Sequence, residues 1–168
     1  MTVAGSIVRA YIDIETTDLD PAAGDLTVVG IYIEQEGQEK LVQLYDGTLT
    51  NDNLLAALAG TNKLYSYNGR DFDLPFIAAR LGVDLARVFR HCDLMHLCWR
   101  KNLYGGQKKV ERKLGISRET KGVDGAQAVA LWNDYKQNGS KDALTTLLRY
   151  NAEDVQNLAH IRHKLGVD

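Results

Sequence analysis

Little in these 168 residues could staple, anchor or link the chain. Cysteine occurs twice, at Cys92 and Cys98, which excludes a disulfide framework and suits a reducing compartment, by default the cytoplasm. No stretch approaches the roughly 20 apolar residues of a membrane helix, and no apolar run preceded by positive charge opens the chain. A soluble, unprocessed protein without membrane contact is expected. Internal repeats, low-complexity tracts and linkers are missing. So are the Gly-x-x-x-x-Gly-Lys loop, the Gly-x-Gly-x-x-Gly fingerprint and the Gly-x-Ser-x-Gly elbow, which removes P-loop nucleotide hydrolysis, dinucleotide binding and serine hydrolysis. What remains is a hydrophobic content of 45%, enough for one self-supporting domain over residues 1–168.

The net charge of -2 conceals an uneven distribution. Between Trp99 and Lys121 eight basic residues face only Glu111 and Glu119, so the segment carries +6 and the remainder -8. A basic stretch on an acidic chain suggests a track for a polyanion. Trp99 and Tyr104 lie among these cations, where bases could stack, and Gly105-Gly106 leaves backbone amides open to phosphate. Lys108, Lys109 and Arg112 are the candidates for phosphate contact. The plain alternative is a solvated helix face.

Ser6 to Glu15 alternates, with Val8, Ala10, Ile12 and Ile14 on one face and Arg9, Tyr11, Asp13 and Glu15 on the other, which predicts a strand. Leu26–Glu34 and Lys40–Tyr45 are β-rich, and turns at Ala23-Gly24-Asp25 and Glu36-Gly37-Gln38 are short enough to force antiparallel neighbours. After Thr50 the pattern becomes helix Asn51–Ala59, strand Lys63–Tyr67, helix Asp73–Leu81 and a short strand at His91–Leu94, which implies parallel crossovers. Helices are expected at His96–Asn102, Lys108–Leu114, Gly125–Gln137 and Lys141–Leu165, with Gly139-Ser140 separating the last two. Leu144, Leu147, Leu148, Val155 and Leu158 form the apolar stripe of the final helix. The expected fold class is therefore α/β, a mixed five-stranded sheet made of an antiparallel three-strand meander and then parallel strands, flanked by helices.

Asp13 and Glu15, two apart on a strand, share a face. Bare carboxylates about 4 Å apart repel by on the order of 4 kcal/mol at an effective dielectric near 20, so a cation is the economical partner. Tyr150 and Asp154, four apart on a helix, stack on one side. Asp73 stands where a strand gives way to a helix, a common position for site residues in α/β folds. Four carboxylates make an all-oxygen ligand set suited to Mg²⁺ or Mn²⁺, and two divalent ions would balance their charge. Read alone, each piece has a duller explanation: two surface acids at a strand end, an amphipathic tyrosine at the core margin, and a Phe72 that belongs to the core. Asp71 rivals Asp73 as a ligand or caps the following helix. His91, Cys92, His96 and Cys98 lack the paired short ligand loops of structural zinc sites.

Together, Asp-x-Glu-Thr at Asp13–Thr16, Asn-x-x-x-Phe-Asp at Asn68–Asp73 and Tyr-x-x-x-Asp at Tyr150–Asp154 resemble the three exonuclease motifs of the DEDD superfamily, and the tyrosine resembles its DEDDy branch. KKVERKLGISR at Lys108–Arg118 and the closing YNAEDVQNL are similar to the YprB-type group of ribonuclease H-like (DnaQ-like) exonucleases. The resemblance implies a ribonuclease H-like fold and 3′-to-5′ exonuclease activity on the 3′ end of single-stranded DNA or RNA. It also implies catalysis by Asp13, Glu15, Asp73, Tyr150 and Asp154. Two Mg²⁺ or Mn²⁺ ions about 4 Å apart would be held by the four acids. Thr16, Asn68 and Phe72 would meet the terminal nucleotide. With a reference pKa near 10, Tyr150 is a poor base and is expected to orient the attacking water. Structure-selective endonuclease activity on the same fold and a non-catalytic nucleic-acid-binding module are the alternatives. Nothing distinguishes DNA from RNA, because no reader of the 2′-hydroxyl is evident.

Overall fold

A computed structural model describes residues 5–168. Three antiparallel strands open the chain, β1 (Arg9–Thr16), β2 (Leu26–Gln35) and β3 (Gln38–Tyr45). The β2–β3 turn needs only Glu36 and Gly37, both at positive φ (48° and 76°), the twist that two-residue hairpins favour. A 3-10 turn at Asp46–Thr48 leads into α1 (Asn51–Ala57), which carries the chain across to β4 (Lys63–Ser66), parallel to β1. α2 (Asp73–Leu81) and α3 (Leu85–Val88) make a second crossover to β5 (His91–Asp93), parallel to β4. The sheet order is β3-β2-β1-β4-β5, the mixed five-stranded arrangement expected. α4 (Leu94–Trp99), α5 (Gln107–Lys113), α6 (Gly125–Asn138) and α7 (Lys141–Leu165) complete the chain.

Both faces of the sheet are covered. Ala10, Ile12, Ile14, Val29, Ile31 and Leu64 pack against Leu54, Leu58, Leu74, Phe76, Ile77 and Leu85 of α1, α2 and α3. On the reverse face Tyr11, Tyr32 and Tyr65 pack against Leu94, Cys98, Val110, Val155, Leu158 and Ile161 of α4, α5 and α7. Tyr11 is fully buried on this face, because α7 lies over it. Its hydroxyl donates to Glu34 and accepts from Arg162 Nε, each at 2.6 Å. A buried phenol so surrounded is satisfied at both ends.

Several boundaries differ from expectation for local reasons. β1 begins at Arg9, not Ser6. β5 stops at Asp93 because the carboxylate of Asp93 caps α4 at the Met95 N–H (3.0 Å), which starts that helix two residues early. That helix also ends at Trp99, α1 ends at Ala57, β4 ends at Ser66, and the single turn α3 lay outside the expectation. Ser140 caps α7 and Gly139 ends α6, as the spacing requires. In α7, Leu147, Val155 and Leu158 are fully buried, whereas Leu144 and Leu148 are half-buried. Cys92 and Cys98 are free thiols. Among the described residues no helix is long and apolar enough to cross a membrane.

Candidate metal centre and nucleic-acid interface

The site forms at the C-terminal end of β1, where α7 crosses the sheet. Three strands meet there in register, with Gly30 of β2 opposite Asp13 on one side and Gln43 of β3 on the other. Asn151 of α7 lies directly on Gly30. Its amide group donates to the Asp13 carbonyl and to Asp13 Oδ2, both at 3.3 Å, while its oxygen accepts from Gln43 Nε2 at 3.0 Å. A Cβ on residue 30 would come 2.2 Å from Asn151 Oδ1, so the missing side chain is what lets the helix approach this closely. Beyond Glu15 the pairing slips by one residue, with Thr27 of β2 left as a bulge between the partners of Glu15 and Thr16, a usual device beside functional sites.

With α7 seated there, ligand atoms of Asp13, Glu15 and Asp154 all lie within 4.8 Å of one another. Among the described residues this is the one cluster of His, Cys, Asp and Glu side chains close enough to share a cation, so the His91–Cys98 set forms none. His91 instead contacts Ser66 Oγ at 2.8 Å. Asp73 sits at the first residue of α2, 4% exposed, and its Oδ1 accepts from the Ile14 N–H at 3.2 Å, which ties it to β1 between the two strand acids. Asp71 is exposed, and the N-cap of α2 is Phe72 without a side-chain cap bond, so Asp71 does not cap it.

The loop carrying this second motif is held by a residue that sequence reasoning passed over. Asp93, buried, accepts from the N–H groups of Asn68 (2.8 Å) and Arg70 (3.2 Å) as well as from Met95. Asn68 is exposed at positive φ (60°), its backbone bound to Asp93. Phe72 is half-buried and packs edge-on against Phe76 at 5.8 Å. Its other side lines a cleft of about 550 Å³ with Ile14, Glu15, Thr16, Leu19 and Val129. Leu19 is 81% exposed at its rim. The Thr16 hydroxyl donates to the Asp18 carbonyl at 2.7 Å.

Burial dominates the electrostatics. Desolvation pushes Asp13 far above the usual carboxylate range, and the charges of Asp154, Glu15 and Asp73 push it further. Glu15 is raised first by desolvation and then by Asp154. Asp73 is pushed up to about 7 by burial, against the pull of the Ile14 N–H. Asp154 reaches only about 6, because Arg118 and Lys108 offset its desolvation. Glu15 Oε1 is buried and has no hydrogen-bond partner. An orphaned carboxylate oxygen aimed into an acidic cluster is costly in water-poor surroundings and is the donor a hard cation lacks. The residues therefore fit a divalent ion, with Asp13, Glu15 and Asp154 as its immediate donors and Asp73 beside them.

Tyr150 is buried one turn before Asp154, as the spacing predicts. Lys108 Nζ donates to its oxygen at 3.0 Å and to the Val123 carbonyl at 2.6 Å, and lies 4.6 Å from the ring centre. Desolvation, then the charges of Asp154, Glu15 and Asp13, raise the phenol far above its ordinary value. Of the three cations expected to contact phosphate, Lys108 thus turns inward, whereas Lys109 and Arg112 are exposed and border a cleft that includes Tyr150 and Asp154. Trp99 and Tyr104 are exposed, 43% and 53%.

Arg118 was legible only as one more cation. It pairs with Asp154, with both oxygens of the fully buried Glu111 at 2.9 and 2.8 Å, and with Glu153 at 3.2 Å. Gln107 adds bonds to Glu111 and to the Asp154 carbonyl, both 2.9 Å. No signal in a single sequence marks Glu111 as buried, since it stands in a run of lysines and arginines.

A family model described as RNase_H superfamily matches residues 10–166. The chain belongs to the RNase H superfamily. No curated protein sequence matches it. Among solved structures, Brucella melitensis NrnC bound to pGG shares 22% identity at a TM-score of 0.62, with 95% of this chain and 72% of that one covered. NrnC with bound Mg²⁺ gives 21% and 0.61 over the same shares. A structure described as the apo form of a nuclease gives 23% and 0.58, covering 96% of this chain and 72% of its own. The likeness is one of fold, that of the RNase H superfamily.

Proposed function

We propose that this protein is a metal-dependent 3′-to-5′ exonuclease of the DEDDy type, akin to the YprB-type group, acting on the 3′ end of single-stranded DNA or RNA. The observation carrying this reading is the convergence of Asp13, Glu15 and Asp154 within 4.8 Å, around a buried carboxylate oxygen with no partner. Asp13, Glu15, Asp73 and Asp154 would hold Mg²⁺ or Mn²⁺, two ions by charge balance. Such ions, when bound, acidify water and stabilise the leaving oxygen of a phosphodiester. The solution of NrnC with Mg²⁺ and with pGG on the same fold supports a divalent cation and a short nucleic acid here.

The protein's own groups then divide the work. Tyr150, with its pKa raised, stays protonated at neutral pH, so it orients a water and does not deprotonate one. Because Lys108 already donates to the phenolic oxygen, the Tyr150 O–H and its second lone pair are left to hold that water. The cleft between Leu19 and Phe72, beside Glu15, has the apolar walls and size for a terminal nucleoside. Lys109 and Arg112, exposed on the other side, are placed for backbone phosphates.

Purified protein incubated with end-labelled single-stranded DNA and RNA, in Mg²⁺, Mn²⁺ or chelator, is the test. Cation-dependent shortening from the 3′ end with mononucleotide release is expected. Internal cuts as first products would identify an endonuclease, and retained binding without release would identify a binding module.

A further inference from the structure

The carboxylate of Asp154 is claimed twice. It belongs to the group of ligand atoms shared with Asp13 and Glu15, and Asp154 Oδ1 is also the partner of Arg118 Nη2. A divalent ion and a guanidinium on the same carboxylate are adjacent like charges, and each weakens the other. The rest of Arg118 cannot leave. Its Nη1 bonds both oxygens of Glu111, which is 0% exposed on α5, and departure would strand a buried carboxylate. Glu153 lies 3.2 Å from Nε as an ion pair, although Nε itself makes no hydrogen bond. Only the Nη2 edge is free to exchange.

Arg118 also borders open space. Arg118 lines a cleft of about 400 Å³ with Lys108, Arg112, Ser117, Thr120 and Lys121, and no carboxylate borders it. With Lys108 turned inward toward Tyr150, Arg112, Lys121 and Arg118 remain as the cations around this concavity, and beside a phosphodiesterase-like centre they make it a place for phosphate.

Resting on the nuclease reading above, we propose that Arg118 is an exchangeable counter-cation. It neutralises Asp154 while no divalent ion is bound, and when an ion takes Asp154, the released Nη2 edge binds a backbone phosphate in the adjoining cleft. Glu111 and Glu153 keep the guanidinium in place throughout. The ion and the substrate are then linked, since only the ion-loaded site frees the arginine.

Calorimetric titration with Mn²⁺, without nucleic acid, tests the first half. Arg118→Gln removes a competitor and should bind Mn²⁺ at least threefold more tightly than wild type, where loss of a residue that only supports the fold would leave binding unchanged or weaken it. Glu111→Gln/Arg118→Gln, which also removes the buried charge that Arg118 would leave on Glu111, should do the same and serves if the single variant fails to fold. The second half is read from affinity for a cleavage-resistant phosphorothioate strand. Arg118→Gln should weaken it severalfold in saturating Mn²⁺ and leave it unchanged in chelator. Equal or weaker Mn²⁺ binding in the folded variants overturns the exchange, and a strand affinity equally altered, or unaltered, in both conditions overturns the phosphate contact. A wild type that binds no Mn²⁺ overturns the metal centre itself, and this inference with it.

Discussion

The two faces of the sheet are packed by different chemistry. Against α1, α2 and α3 the buried side chains are almost all aliphatic, with Ala10, Ile12, Ile14, Val29 and Ile31 meeting leucines and a phenylalanine. Against α5 and α7 the buried layer includes Tyr11, Tyr65, Asn151, Asn157, Arg162, Glu111 and Asp154. The first face can stabilise by area alone, with no geometry more specific than shape. The second carries hydrogen bonds and ion pairs that break even at best in energy but hold α7 in one register over β1. That register is what brings Asp154 to Asp13 and Glu15. One face is scaffold and the other is alignment.

The sharpest separation comes from changing each in turn. Asp13→Ala, Glu15→Ala, Asp73→Ala and Asp154→Ala should each lower nuclease turnover by about 1,000-fold or more, since one lost ligand undoes a shared ion site. Their metal-free thermal midpoints should hold or rise as carboxylate repulsion is relieved. An active Asp73→Ala with an inactive Asp71→Ala would reassign the second motif. Ile12→Ala, on the aliphatic face, should do the reverse. It should cost about 3 kcal/mol in denaturant unfolding while turnover per folded molecule stays near wild type.

Proton linkage provides the next contrast. Asp73 titrates near 7 in the folded state and near 3.8 unfolded, and Asp13, Glu15 and Asp154 shift the same way. The folded protein therefore holds more protons between these values, and metal-free stability should fall as pH rises from about 4 to about 8, by at least about 4 kcal/mol. Thermal unfolding in chelator across this window, repeated in Mn²⁺, should show the fall and then its removal. A flat profile in chelator would mean that the carboxylates are better solvated than their burial indicates.

Tyr150→Phe keeps the ring against Lys108 and deletes one hydroxyl. Turnover should fall roughly 30-fold, equivalent to about 2 kcal/mol, with strand affinity little changed. Wild-type turnover would remove the hydroxyl from the mechanism. The smallest effect is expected from Lys109→Glu/Arg112→Glu, which leaves the inward-turned Lys108 in place. Strand binding should weaken several-fold and lose roughly two from its log–log salt slope, while Mn²⁺ binding stays intact. An unchanged slope would make these two residues a solvated helix face.

Local periodicity was sufficient for several of these features. A strand period of two put Asp13 and Glu15 on one side, and a spacing of four put Tyr150 over Asp154, because side-chain direction within an element follows from backbone geometry alone. Turn residues and caps at Glu36-Gly37 and Gly139-Ser140 set most of the element order in the same way. The strand alternation put Tyr11 on the face opposite Ile12, as found, but the cover that α7 gives it was not legible. Neither Gly30 as the seat of Asn151 nor Asp93 as the anchor of the Asn68–Arg70 loop was legible, since each depends on an element distant in the chain. Lys108 and Arg118 looked alike as members of a basic run; the fold alone turned one toward Tyr150 and gave the other three carboxylates. The chain's own spacing paired Asp13 with Glu15 and Tyr150 with Asp154. Tertiary packing decided which cations neutralise them, because a charge takes its partner from whatever the folded backbone brings within a few ångströms, and sequence distance does not encode that.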